Sequence, residues 1–181
     1  MGSPRIVRSL CSFVLTLILI VPSGQGLEGQ TMASRDTLLA VAREIMDAAR
    51  YCGLVTTDET GTMRVRTMDP FSPASDMTIW MGTNRETRKV KEIEGDPRVT
   101  LYYASPDASG YVTVFGTASL VDEAEEKGAR WKPEWEAFYQ DRTSEYLLIK
   151  VTPHRLEVID YSRGIVGSPG TWEPPTVLFN K

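Results

Sequence analysis

The chain has 181 residues, 41% of them hydrophobic, with 20 basic and 24 acidic side chains and a formal charge of −4. That length fits one domain with a real core, and the acidic balance excludes a protein built to grip nucleic acid through its phosphates. One histidine, His154, and two cysteines, Cys11 and Cys52, exclude a His/Cys metal cluster and a disulfide framework.

Residues 1–26 read as a secretory signal peptide. Arg5 and Arg8 are basic, Leu10 to Val21 is apolar apart from Cys11, Ser12 and Thr16, and Gly24 and Gly26 put small residues at −3 and −1 of a cut before Leu27. The run falls short of the roughly 20 residues that span a bilayer. A cleaved leader is therefore expected, giving a periplasmic or secreted mature chain, residues 27–181, with no membrane segment. Loss of Arg5 and Arg8 with no acid takes the charge from −4 to −6 and leaves Cys52 as a lone thiol.

Ser34 caps a predicted helix whose apolar residues Leu38, Val41, Ala42, Ile45 and Ala49 share one face, with its stop at Cys52-Gly53. Strands are predicted over 54–57 and 62–69 around the turn Asp58-Glu59-Thr60-Gly61. In the second strand Met63, Val65 and Thr67 share one face, and Arg64, Arg66 and Met68 the other. Residues 77–82 alternate as a buried strand, and Thr83 three residues before Glu86 predicts a capping box and a helix from Asn84 to about Gly95. Further strands are predicted over 99–104, over 111–121 with a bend or bulge at Gly116, and over 146–151 and 156–161, separated at Thr152-Pro153. Between them 122–139 reads as two short helical pieces carrying Trp131, Trp135 and Phe138, and 162–181 as an irregular tail. Seven strands without regular strand-helix alternation favour a mostly antiparallel barrel over a doubly wound sheet.

Familiar catalytic constellations are missing: no nucleophile elbow, no phosphate loop and no dinucleotide fingerprint occur. Chemistry here needs a cofactor. The anion-binding groups gather where strand 77–82 runs into the next helix, whose first turn offers free N–H groups and the side chains of Thr87, Arg88 and Lys89. The plain alternative is a solvated basic face.

Gly82-Thr83-Asn84 followed by Thr87-Arg88-Lys89 resembles the Tyr-Thr-Asn-x-x-Ser-Arg-Lys motif of the pyridoxamine 5'-phosphate oxidase-like, FMN-binding split-barrel family. The resemblance extends to Gly61 through Met68, to Asp96-Pro97-Arg98, to Gly110 through Ala118, to Trp131-Lys132-Pro133-Glu134-Trp135 and to Leu148 through Pro153, where the small general stress protein branch is the nearest likeness. It implies an antiparallel split β-barrel of six or seven strands with flanking helices, a homodimer with flavin between subunits, and FMN-dependent redox chemistry on an unknown small substrate. Arg66, with Arg64 as the fallback, Arg88 and Lys89 would meet the phosphate, with Thr87 beside them, while Thr67, Met68, Gly82 and Thr83 would line the flavin ring. The family also offers deazaflavin or haem as alternative cofactors and a noncatalytic flavin- or ligand-binding role as the alternative function. The C-terminus lacks the Arg-x-His pair by which true pyridoxamine phosphate oxidases hold substrate, so vitamin B6 oxidation is not expected.

Overall fold

The computed structural model describes residues 33–179 together with Gly2; apart from Gly2, the predicted signal peptide lies outside the described residues. Helix α1 spans Arg35–Ala49, and the Ser34 hydroxyl accepts from the Thr37 N–H at 3.2 Å, the expected cap. Its stop differs from the expectation. The helix ends at Ala49 and the chain turns at Arg50, at φ 59, so that Cys52 and Gly53 already belong to strand β1, Cys52–Thr57.

The turn after β1 closes through Gly61 at φ +81, and the Asp58 carboxylate accepts from the Thr60 and Thr62 N–H groups. Strand β2, Met63–Met68, pairs antiparallel with β1, placing Arg66 opposite Leu54 and Val65 opposite Val55. Strand β3 spans Ile79–Asn84, two residues later than predicted. Met77, at φ 66, instead sits in a turn closed on Ala74, and the Asp76 carboxylate takes the Thr78 N–H.

The capping box of Thr83 and Glu86 does not form. Thr83 and Asn84 remain in the sheet opposite Leu147 and Tyr146, and the Asn84 side chain takes the Glu86 N–H at 2.9 Å. Helix α2 therefore starts only at Arg88 and runs to Gly95 with Thr87 as its N-cap. Strands β4, Arg98–Ala104, and β5, Gly110–Val121, follow. The two helical pieces are observed as α3, Ala124–Ala129, and a 3-10 turn over Pro133–Phe138, followed by a short helix α4, Arg142–Glu145.

Strand β6 corrects a second expectation. It is continuous over Tyr146–Asp160, because Phe115 faces Arg155 while Gly116 faces Pro153, which leaves His154 as the extra residue of a bulge. A bulge is where a proline without an N–H can stay within a sheet. The tail is not wholly irregular either: Thr176–Leu178 forms β7 on β6 and buries Val177.

The sheet order is β2-β1-β4-β5-β6-β3, every pairing antiparallel. Its two edges meet where Pro70 bridges Met81 and the Phe71 N–H reaches the Trp80 carbonyl at 2.8 Å. This is the split barrel. Its interior is filled by Leu54, Met81, Leu101, Val112, Val114, Ile149, Val151 and Leu156, against which α1 lays Leu38, Val41 and Ile45. A separate aromatic cluster of Trp80, Trp135 and Tyr146 packs outside it.

Candidate functional site

The closure of β2 on β3 creates a cleft of about 400 Å³. Thr67, Met68 and Asp69 come from the end of β2, Gly82, Thr83 and Asn84 from β3, and Lys89 from α2, with Trp135, Phe138 and Tyr139 supplying an aromatic wall. Five of the eight residues singled out in the sequence thus line one space. Thr87 stands just behind, its hydroxyl 3.1 Å from that of Thr83.

Gly82 is required by packing. A Cβ there would lie 2.6 Å from the Trp135 ring and 2.7 Å from the Tyr146 ring, so the aromatic wall rests directly on the strand backbone. That wall is tied down at Asp69, which accepts from the Trp135 indole at 3.0 Å and from the Lys132 ammonium at 2.7 Å. Phe138 remains 75% exposed at the mouth.

The cations are arranged differently from a simple three-way convergence. Arg66 and Arg88 meet through a buried acid, Glu92: Arg66 Nη2 lies 2.7 Å from its Oε2, and Arg88 Nε 3.1 Å from its Oε1. Arg88 and Lys91 line a neighbouring recess together with Arg64, which pairs with Asp58 at 2.7 Å and lies 3.7 Å from Glu92. Among the described residues neither Lys89 nor the exposed Lys91 has a carboxylate within ion-pair distance, but Lys89 is half-buried and lines the cleft, and its ammonium donates to Thr83 Oγ1 at 3.1 Å. Four cations, Arg64, Arg66, Arg88 and Lys89, against two carboxylates, Asp58 and Glu92, leave two net positive charges.

Electrostatics agree with that geometry. Burial, then the nearby Arg66 charge, push the Lys89 pKa below its ordinary value, against the pull of Glu92. Burial alone would raise the Glu92 carboxyl, but the Thr56 hydroxyl, Arg66 and Arg88 outweigh it and hold the carboxyl below its usual range. Helix α2 begins without a side-chain cap, so its first turn presents N–H groups beside these cations.

Glu92, Asp69 and Tyr139 were not singled out in the sequence. Glu92 carried a faint signal, three residues after Lys89 and thus on the same helix face. His154 is exposed at the β6 bulge and does not line the cleft.

The family described as Pyridoxamine 5'-phosphate oxidase like matches residues 38–168. Among proteins of curated function, none matches this sequence closely enough to count as a relative. Among solved structures, the chain is similar to General Stress Protein 26 from Bacillus anthracis, with 21% identity, 76% of this chain and 95% of that one covered, and a TM-score of 0.61. It is also similar to a pyridoxamine 5'-phosphate oxidase-related, FMN binding protein from Nostoc punctiforme, with 15% identity, 84% and 100% covered and a TM-score of 0.55. A heme binding protein from Mycobacterium smegmatis shares the fold at 16% identity, with 70% and 55% covered and a TM-score of 0.57.

Proposed function

Because the chain belongs to the pyridoxamine 5'-phosphate oxidase-like family, we propose that its cleft binds FMN and that the protein is an FMN-dependent oxidoreductase for a small molecule. The observation that carries this reading is Lys89: a half-buried ammonium with no carboxylate partner, beside Arg66 and an uncapped helix start, fits a phosphate with close to two negative charges. Thr83 and Thr87 offer hydroxyls to the same anion. Thr67, Met68 and the aromatic wall offer a flat apolar slot for a ring.

When bound, the flavin supplies hydride or electron transfer. The chain's own residues bind and orient. Lys89 and Arg66 fix the charged end, the Asp69-Trp135 hydrogen bond holds one wall rigid, and that wall keeps water from one side.

A noncatalytic flavin-binding role is the second reading, and Asp69 favours it. Among the described residues it is the only carboxylate lining the cleft, and it already serves Trp135 and Lys132, which leaves no free carboxylate there to act as acid or base. A haem ligated by His154 gains no support from the residue's exposed place on β6.

The homodimer belongs to the same proposal. Met63 and Val65 are 75% and 71% exposed on the outer face of β2, and exposed Thr67 carries that face into the cleft, so a second subunit seated there would complete the slot. Export rests on residues 1–26 alone and is tested by the N-terminal sequence of the mature protein, expected at Leu27.

Flavin fluorescence titration tests the assignment. The wild type should prefer FMN over riboflavin, and alanine at Lys89 or Arg66 should weaken FMN on the order of 10- to 100-fold while sparing riboflavin. Arg88, exposed and turned to the recess it shares with Lys91, should lose less. Equal affinity for the two flavins in the wild type would remove the reading.

A further inference from the structure

Glu92 is buried to 5% exposure in an eight-residue helix that Val90 and Ile93 already seat on the barrel. Docking such a helix needs no charge. An apolar side chain would do it without the desolvation cost that a buried ion pair carries. Instead the carboxylate gathers partners from three elements: the Thr56 hydroxyl of β1 at 2.5 Å, Arg66 of β2 at 2.7 Å and Arg88 of α2 itself at 3.1 Å. Arg66 is held from its other side as well, donating to Thr56 Oγ1 at 2.5 Å and to the Leu54 carbonyl at 3.3 Å.

We infer that Glu92 is the positioning residue of the phosphate slot: it holds Arg66 and Arg88 in their places before any ligand arrives, so that the anion meets a preformed frame. The inference rests on the flavin-phosphate reading. Four like charges from Arg64, Arg66, Arg88 and Lys89 repel one another, and long side chains freed from the carboxylate would spread into solvent. Ordering them again on binding would draw on the affinity. Glu92 does that ordering in the folded protein.

A rival account makes Glu92 a mere counter-ion, and it predicts the opposite sign. Removing one negative charge takes the cluster from two net positive charges to three, which by itself strengthens attraction for a phosphate dianion. Positioning predicts weaker binding despite the stronger field. The sign of the change separates the two.

The test is Glu92→Gln in the mature chain, which keeps the shape and one acceptor oxygen while removing the charge, titrated with FMN and with riboflavin by flavin fluorescence. The expected result is an FMN dissociation constant raised about tenfold, equivalent to about 1.4 kcal/mol, with riboflavin unchanged. In an Arg66→Ala background the same substitution should cost less, since part of what it acts through is gone. FMN binding unchanged or tightened in a protein whose wild type prefers FMN overturns the inference alone. So does an equal loss of FMN and riboflavin with a lowered urea midpoint, which marks a structural role. A wild type that binds both flavins alike overturns the phosphate reading, and Glu92's role in it falls with that reading.

Discussion

The Trp135 indole donates to the Asp69 carboxylate at 3.0 Å across 66 residues of sequence, and this bond fastens the Pro133–Phe138 turn to the end of β2. Lys132 shares the carboxylate at 2.7 Å and the Pro70 carbonyl at 2.8 Å, so one acid anchors the whole aromatic wall. Asp69→Ala leaves the buried indole N–H without a partner, which costs roughly 1–3 kcal/mol. Asp69→Asn keeps an acceptor and should lose less. Urea denaturation reads the stability, and FMN and riboflavin should weaken together, because in the proposed flavin site the wall would touch the ring and not the phosphate.

Lys89 should show a trade between stability and binding. Its folded pKa is lowered, by burial first and by Arg66 second, whereas in the unfolded chain it keeps its proton up to the ordinary 10.5. Between the lowered value and 10.5 the unfolded state therefore holds more protons, and the stability of the ligand-free protein gains from this group as pH rises through that window. Below the window the penalty is constant. Lys89→Met should remove the gain and raise the urea midpoint at neutral pH. Phosphate binding has the opposite slope: FMN affinity in the wild type should fall as the ammonium loses its proton, while riboflavin affinity stays flat. A flat FMN profile through the same window would show that Lys89 does not touch the phosphate.

Two glycines give contrasting stability tests. A Cβ on Gly116 would lie 2.7 Å from the Thr152 carbonyl oxygen and 2.7 Å from Val151 Cγ1, at the bulge where β5 crosses β6. The backbone of a paired strand cannot step aside cheaply, so Gly116→Ala should destabilise by roughly 1–3 kcal/mol. Gly128 lies within α3 with open space around its Cα, and Gly128→Ala should be neutral or stabilising by up to about 1 kcal/mol. Denaturant midpoints of the two variants check both signs.

These residues also mark how much could be read before the structure. The Ser34 cap, the irregularity at Gly116 and the alternation along Met63–Met68 are local properties, and they hold. The start of α2 does not, because pairing of Thr83 and Asn84 with β6 overrides a local capping box. Pro153 reads as a strand break, yet a partner strand with glycine opposite lets His154 absorb the irregularity. The slot-lining residues were legible because motif and barrel closure concern the same short stretch. Glu92 was not: four residues after Arg88 it reads as half of a surface ion pair, and only docking of α2 on the β1-β2 hairpin brings Thr56 and Arg66 onto it.

The outer face of β2 predicts the oligomeric state. Met63 and Val65 lie opposite Thr57 and Val55 of β1, and Tyr102 of β4, 46% exposed, lies opposite Gly53 on the same face. Alternation puts Arg64 and Arg66 on the other side of β2, toward Glu92, so the apolar outer face is free to take a second subunit without disturbing the cations. Val65→Asp should leave the monomer folded, since the side chain is already solvent-facing, but it would bury an unpaired carboxylate in a dimer. A two-fold interface carries each side chain twice, and losing the burial of valine at both places removes roughly 3–6 kcal/mol. At about 1.4 kcal/mol per decade, the dimer dissociation constant should rise on the order of a hundred- to ten-thousandfold. Sedimentation equilibrium should find a dimer in the wild type and a monomer in Val65→Asp, with FMN binding weakened in the variant because Thr67, on the same face, lines the slot. An unchanged mass for Val65→Asp, or a monomeric wild type that binds FMN tightly, would place the interface elsewhere or dispense with it.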